Sequence, residues 1–248
     1  MGIKIHPLSE GVFTIGHDKI FHLFDVDNHV LEERSIGSLL VEIQPFLIQI
    51  NGKNILLDTG LGFTLPTGEL QLHHNLRRIG IEPEQVHSVI LSHLHKDHAG
   101  GISFVNAMGI ETLSFPNATY YVSKKEFEYA MQNGAPSYVI SDIELLQNSP
   151  QVEWLDDEGN LHNMLQYQTV GGHCPFHISM LFHADGEYVF FGGDVVPQYK
   201  QLITRYIAKY DFDGKKCMEL RQQFAEEGKE NHWTFLFYHD VKTPFAKL

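Results

Sequence analysis

The chain has 248 residues, 43% of them hydrophobic, and 18 basic against 31 acidic side chains give a net charge of −13. This length and apolar content suit one domain with a sizeable core, spanning residues 1–248, and exclude a disordered tail. The acidic balance argues against nucleic acid as partner, because a phosphate backbone is gripped by lysine and arginine, and no apolar run approaches the roughly 20 residues of a membrane span.

From Met1 to Pro7 there is no apolar run followed by a small-residue cleavage pattern, and the two cysteines, Cys174 and Cys217, read as reduced thiols. A cytoplasmic location is expected from both. Segments rich in β-branched and aromatic residues and bounded by Gly, Pro, Asn or Asp predict strands at 11–15, 39–43, 46–50, 54–57, 88–91 and 119–122, then at 151–155, 167–170, 178–182, 188–191 and 234–237. Asn51-Gly52 between two apolar runs predicts a tight hairpin, since both residues tolerate positive φ. Helices are expected around Leu72, Leu76 and Ile79, with Gly80 ending the first, and over 124–132 and 215–229. Residues 16–38, 60–69 and 197–214 read as long loops; all carry aromatics, which suits binding walls and also a homodimer contact. Strands first and mixed elements later point to sheets packed on one another with helices outside.

Sixteen histidines are the unusual count, and they are scattered. The apolar strand Val89-Ile90-Leu91-Ser92 runs directly into His93-Leu94-His95-Lys96-Asp97-His98-Ala99-Gly100-Gly101. In an extended turn His93 and His95 point the same way and can share one cation, while Asp97 and His98 aim at a neighbouring one. Imidazole and carboxylate ligands suit Zn²⁺, with Mn²⁺ or Fe²⁺ as alternatives. The glycine pair is expected to let the backbone turn sharply behind the ligands. The bland alternative is a solvated polar turn. His173 after Gly171-Gly172, Asp194 after Gly192-Gly193, and His239 after Phe235-Leu236-Phe237 are further side chains presented at strand ends. His177 and Asp58 suit supporting roles behind the ligands. His73, His74, His162 and His183 lack a motif and read as surface residues.

The segment His93 to His98 resembles the His-x-His-x-Asp-His signature of the metallo-β-lactamase superfamily. Leu56-Leu57-Asp58-Thr59-Gly60, Gly172-His173-Cys174-Pro175-Phe176-His177, Phe191-Gly192-Gly193-Asp194 and Tyr238-His239-Asp240 resemble its remaining landmarks in order. Phe176 stands where glycine is usual. The resemblance implies an α+β fold, a four-layer αββα sandwich. It also implies two divalent metal ions, one held by His93, His95 and His173, the other by Asp97, His98 and His239, with Asp194 bridging both. Attack by a hydroxide bridging the pair, with Asp97 as the catalytic acid–base residue, is the implied chemistry. Cys174 lies beside His173, but nothing around it suggests an activated thiolate.

Within the superfamily, the absence of a basic run and of an inserted nuclease segment sets aside the glutathione and RNA-processing branches. The chain looks most like the lactonase and organophosphate-esterase branch. The tyrosine that lactonases place after the bridging aspartate is not at the same spot, and Tyr199 can replace it only through a different loop. The expectation is a metal-dependent hydrolase of a small ester or lactone. The alternatives are a mononuclear iron oxidoreductase and a catalytically silent metal-binding protein on the same scaffold.

Overall fold

A computed structural model describes residues 2–106 and 108–248, so Met1 of the N-terminal stretch lies outside the described residues. The first part of the chain forms β1 (Lys4–Pro7), β2 (Gly11–Ile15), β3 (Phe21–Leu23), β4 (Leu39–Ile43), β5 (Phe46–Ile50) and β6 (Lys53–Leu57). Then come α1 (Gln71–Arg78), β7 (Ser88–Ile90), α2 (Lys96–Ala99), β8 (Ser103–Val105), β9 (Glu111–Leu113), β10 (Thr119–Ser123), α3 (Lys124–Asn133), α4 (Ile140–Ile143) and β11 (Val152–Leu155). The last part holds β12 (Glu158–Leu161), β13 (Leu165–Thr169), β14 (Ile178–Ala184), β15 (Glu187–Phe191), α5 (Tyr199–Ile203), α6 (Gly214–Glu230), β16 (Thr234–Leu236) and β17 (Phe245–Lys247).

Among the described residues the strands assemble two six-stranded sheets, ordered β1-β5-β6-β7-β10-β11 and β12-β13-β14-β15-β16-β17, beside a three-stranded β3-β2-β4 sheet and the β8-β9 hairpin. Successive side chains of a strand point to opposite faces, and the sequence is apolar on both. In the first sheet Phe46, Ile48, Ile55, Leu57 and Ile90 face one way, while Leu47, Leu56 and Val89 face the other. The first set packs against Met180, Phe182, Val189, Phe191 and Leu236 of the second sheet. The reverse face of the first sheet is covered by Leu72 and Leu76 of α1 and Phe127 and Ala130 of α3. Phe190 and Phe235, on the reverse face of the second, are covered by Cys217 and Phe224 of α6. The layers therefore run helix, sheet, sheet, helix, the four-layer αββα sandwich the sequence implied. Strands apolar on both faces are buried strands, so helices must lie outside them.

The turn at Asn51-Gly52 has positive φ at both residues, 48° and 76°, and joins β5 to β6 in the register Ile50↔Lys53. Two of the three expected loops contain short elements: residues 16–38 include β3, and 197–214 include α5. β3 adds only three residues to the edge of β2, too short a run to show as periodicity. His73 is a second correction. It is buried rather than at the surface, its Nε2 2.8 Å from the Ser114 carbonyl oxygen and its ring against Phe104 and Phe115. His183 is half-buried, whereas His74 and His162 are exposed as expected.

Glu10 ties the N-terminal strands to the loop after β6. Its backbone N–H donates to the Ile43 carbonyl, and its Oε2 accepts the Leu61 N–H at 2.6 Å, while Oε1 is buried without a partner. Burial pushes this carboxyl up from 4.5 to about 8, against the lowering effect of the Leu61 hydrogen bond. The folded chain thus holds a proton that the unfolded chain has released. Stability from this residue is fully present below the unfolded value and drains away as pH rises toward about 8. Glu10→Gln keeps the shape without the titration. Its stability relative to the parent should therefore climb by a few kcal/mol between about pH 5 and about pH 8, at about 1.4 kcal/mol per pK unit. Denaturant midpoints measured across that range test this; a pH-independent difference would refute it.

Candidate metal centre

All seven side chains singled out in the sequence leave the carboxyl ends of strands. β7 and β10 run parallel in the first sheet, and β15 and β16 run parallel in the second, with β13 in the same direction. His93, His95, Asp97 and His98 follow β7. His173 follows β13, Asp194 follows β15 and His239 follows β16. A hydrogen bond from the Ile178 N–H to the Ser92 carbonyl, 2.9 Å, joins the two sheets at this end. Between His93 and His95, Leu94 points into the core and is fully buried, which turns both imidazoles to the same side. At Asp97 and His98 the chain has curled into α2.

Gly100 and Gly101 do not serve the sharp turn expected of them, since Gly100 has ordinary helical φ and ψ of −62° and −26°. Close packing is what requires them: a Cβ on Gly100 would lie 2.5 Å from the Leu61 carbonyl oxygen, and one on Gly101 2.2 Å from that of Thr59. Through this contact the Asp58-to-Leu61 loop braces the ligand segment from behind.

Three ring nitrogens converge first. His95 Nδ1 lies 3.0 Å from His93 Nε2 and 3.0 Å from His173 Nε2. Next to them, Asp97, His98 and His239 offer ligand atoms within 4.8 Å of one another. Asp194 stands between, with Oδ1 3.1 Å from His98 Nε2 and 3.0 Å from His239 Nε2, and Oδ2 3.3 Å from His173 Nε2. Ligands at about 2.0–2.1 Å from a shared tetrahedral ion stand about 3.3 Å apart, so these spacings are of the right size for a cation.

The outward nitrogens fix which tautomers point inward. His98 Nδ1 lies 2.7 Å from Asp58 Oδ2, His173 Nδ1 2.9 Å from Asp211 Oδ1, and His239 Nδ1 2.7 Å from the Glu42 carbonyl oxygen. Those oxygens only accept, so each Nδ1 donates, and in the neutral ring each Nε2 turns its lone pair inward. Ser92 Oγ donates to Asp58 Oδ2 and therefore accepts from His93 Nδ1, which leaves His93 Nε2 in the same state. Lone pairs then face carboxylate oxygens. His98 Nε2 and Asp194 Oδ1 are both buried without a hydrogen-bond partner. Buried polar atoms left unpaired are costly, and a cation between them resolves that cost.

The charges agree. Burial lowers His93, and it lowers His95 also, each well below the usual imidazole value, with neighbouring imidazoles acting in the same sense. Burial opposes ionisation of His98 and of His239, yet Asp194 and Asp97 raise both, His98 far above its usual value. Asp194 is likewise penalised by burial, and its imidazole neighbours hold it well below the carboxylate range. The field that retains protons on His98 and His239 is the field that would retain a divalent cation.

His177 is not among the converging ligand atoms. Its Nε2 accepts the Asp194 N–H at 3.1 Å, which places the aspartate. Asp58 orients His98 as the sequence suggested. Burial and the adjacent Glu126 carboxylate push the Cys174 thiol well above its usual value, which fits an inert residue. Tyr199 packs its ring on Phe237. From the 197–214 loop it is Tyr210 that reaches the ligand set, its ring 6.2 Å from that of His173. Sequence reasoning counted Tyr210 only among the aromatics of the 197–214 loop and missed Asp211, because no motif marks either. It also missed Tyr238 as the platform under His98, the rings stacked at 4.0 Å.

Residues 42–239 match the profile described as the Metallo-beta-lactamase superfamily. The chain belongs to that superfamily. A relative within it, the N-acyl homoserine lactonase AttM of Azorhizobium caulinodans, is 32% identical over 117 residues, which is 43% of this chain and 39% of the relative. Another, the N-acyl homoserine lactonase AiiB of Agrobacterium fabrum, is 25% identical over 173 residues, 61% of this chain and 59% of the relative. The chain thus covers less than two thirds of either relative's length. A solved structure of AidC, a dizinc quorum-quenching lactonase bound to N-hexanoyl-homoserine product, superposes with TM-score 0.73 at 19% identity, covering 99% of this chain and 90% of that one. The metallo-β-lactamase fold is thereby shown for nearly the whole length.

Because protons and cations compete for the same lone pairs, cation uptake by this metallo-β-lactamase chain should release protons, and affinity should fall as pH drops through the raised values of His98 and His239. Zn²⁺ added to metal-stripped protein in weakly buffered indicator solution measures this. Uptake with no proton release, or affinity rising on acidification, would contradict the arrangement described.

Proposed function

We propose that the chain is a dinuclear metal-dependent hydrolase that opens a small lactone or ester. The observation that carries this reading is the pair of three-atom ligand sets with one oxygen of Asp194 turned to each. His93, His95 and His173 would hold one cation, Asp97, His98 and His239 the other, with Asp194 between them. Zn²⁺ is the first choice, and the dizinc lactonase of the same fold supports it. Once bound, two such cations polarise a carbonyl and acidify a water to near neutral pH.

The chain's own residues then have definite tasks. Asp58, Asp211 and the Glu42 carbonyl keep the imidazoles in one tautomer and orientation, so no reorganisation is needed during the reaction. The Asp97 carboxylate, with Oδ2 3.5 Å from His239 Nε2, is the most open of the carboxylates in the set. It accepts a proton from the attacking water and returns it to the leaving oxygen. The Tyr210 hydroxyl accepts the Gln201 side-chain N–H at 3.2 Å, and burial and nearby Asp194 keep the phenol protonated. Its proton is free to donate to an oxygen of the substrate, the role for which Tyr199 is misplaced.

Ile207 and Phe212 stand exposed in the same loop, which favours a neutral, partly apolar substrate. A complete ligand set favours turnover over a silent metal-binding protein, and two sets favour hydrolysis over single-iron oxidation. The proposal treats residues 1–248 as a single domain, since both sheets supply the site. It places the protein in the cytoplasm without nucleic-acid or membrane partners; among the described residues no helix is long and apolar enough to cross a membrane. Ile20, Leu23, Val26, Val30 and Ile36 are exposed along residues 16–38, and a homodimer through that segment belongs to the same reading.

A panel of lactones and aryl esters should show turnover that is lost on chelation and restored by Zn²⁺. Asp97→Ala should lower kcat by about 10²–10⁴-fold while circular dichroism remains that of the parent. No metal-dependent turnover of any lactone or ester, or full activity in the Asp97 variant, would overturn the proposal.

A further inference from the structure

Glu126, in the first turn of α3, is a carboxyl buried to 1% exposure. Its polar side-chain partners among the described residues are all neutral donors. Oε1 accepts the Leu94 N–H at 3.3 Å, the Tyr138 hydroxyl at 3.1 Å and the Cys174 thiol at 3.4 Å, and that thiol lies 3.4 Å from Oε2 as well. Burial raises this carboxyl above its usual value, and the thiol, the N–H, the hydroxyl and nearby His173 each pull it back down, so every neighbour favours the carboxylate that these contacts suit. A buried carboxylate with neutral partners is expensive unless a positive charge lies nearby.

The identity of those partners points to that charge. Leu94 lies between His93 and His95. Cys174 directly follows His173. The Tyr138 ring lies 4.9 Å from the His95 ring. One carboxylate therefore grips the flank of each histidine in the three-nitrogen set. By contrast, the second set is braced by Asp58 at His98, the Glu42 carbonyl at His239 and the Tyr238 hydroxyl on the Asp97 carbonyl, none of which Glu126 meets.

Taking the two-cation reading as its basis, we propose that Glu126 is a positioning residue specific to the His93, His95 and His173 set. It fixes the backbone that carries the three imidazoles, and its negative charge raises that set's affinity for a cation while leaving the other set alone. The residue touches neither substrate nor cation. It acts through Leu94, Tyr138 and Cys174.

The test uses the full chain, stripped of metal and titrated with Co²⁺, whose visible absorption reports ligand geometry, and with Zn²⁺ against a competing chelator. The parent should take up two equivalents in two resolvable steps. Glu126→Gln, of equal size but uncharged, should weaken one step about tenfold or more and leave the second within about twofold. Asp97→Asn removes a ligand of the second set and should weaken the opposite step. Tyr138→Phe keeps the ring, removes one hydrogen bond to Glu126, and should weaken the Glu126-sensitive step about threefold. It serves as the deciding variant if Glu126→Gln does not fold. Equal weakening of both steps, as a merely structural role would give, overturns the inference. So does two-step uptake indistinguishable from the parent. Failure of the parent itself to take up any cation would instead strike the functional reading, and this inference would fall with it.

Discussion

The constraint on which the rest of this structure depends is a set of imidazole lone pairs and carboxylate oxygens turned toward one another inside a protein. The inward nitrogens of His93, His98, His173 and His239 are each fixed by a bond at the far side of the ring, which opposes rotation or a tautomer shift. Left alone, these groups must either bind protons or pay for buried, unpaired polar atoms. Asp58, Asp97, Asp194, Asp211 and Glu126 crowd the same small volume, and two divalent cations would bring them near neutrality. The fold assembles a cluster of charge that protons on the imidazoles or bound cations can balance.

The sandwich follows from how such a site can be built. Side chains on one loop could not face one another from several sides, so they must arrive from several directions on rigid supports. Four strand ends from two sheets supply them, and the Ile178–Ser92 hydrogen bond locks the sheets together at that end. The inter-sheet core of Phe46, Ile48, Met180, Phe182 and Phe191 sets the spacing between the two halves of the cage. Core packing and cation geometry are therefore one problem. A cavity beneath β7 would shift His93 against His173 by the fraction of an ångström that ligand geometry does not forgive.

Much of this was legible in the sequence, for reasons that can be named. Strand positions showed because both faces of β5, β6 and β15 are apolar, and the Asn51-Gly52 turn showed because few residue pairs tolerate its backbone. The seven candidate ligands showed because they cluster at strand ends or follow glycines. Short edge strands such as β3 were invisible because three residues carry no period. His73 was misplaced because a histidine with no motif around it reads as solvent-exposed, and only tertiary contact with Phe104, Phe115 and the Ser114 carbonyl makes it a core residue. The glycines after the ligand segment were identified as important, but the reason was wrong. What they avoid is a clash with a loop some 40 residues earlier, a relation that local backbone rules do not contain.

The loop between α5 and α6 shows most clearly where motif-based reading stops. Position relative to Asp194 directs attention to Tyr199, yet that residue turns back onto Phe237 while Tyr210 reaches the histidines. The cause lies in α6. Arg221 is buried to 1% exposure and donates to the Val195 carbonyl at 3.0 Å and to the Tyr206 carbonyl at 2.6 Å, pinning the segment after Asp194 and the middle of the loop to one helix. The Phe212 and Asp213 N–H groups then bond the His173 and Gly172 carbonyls, so the end of the loop is drawn against the ligand segment. Fixed at both places, the loop brings Tyr210 and Asp211 together to His173, the first by its ring at 6.2 Å and the second by Oδ1 at 2.9 Å from Nδ1. A buried guanidinium bonded to carbonyls rather than to a carboxylate holds backbone in place without neutralising the acids of the site.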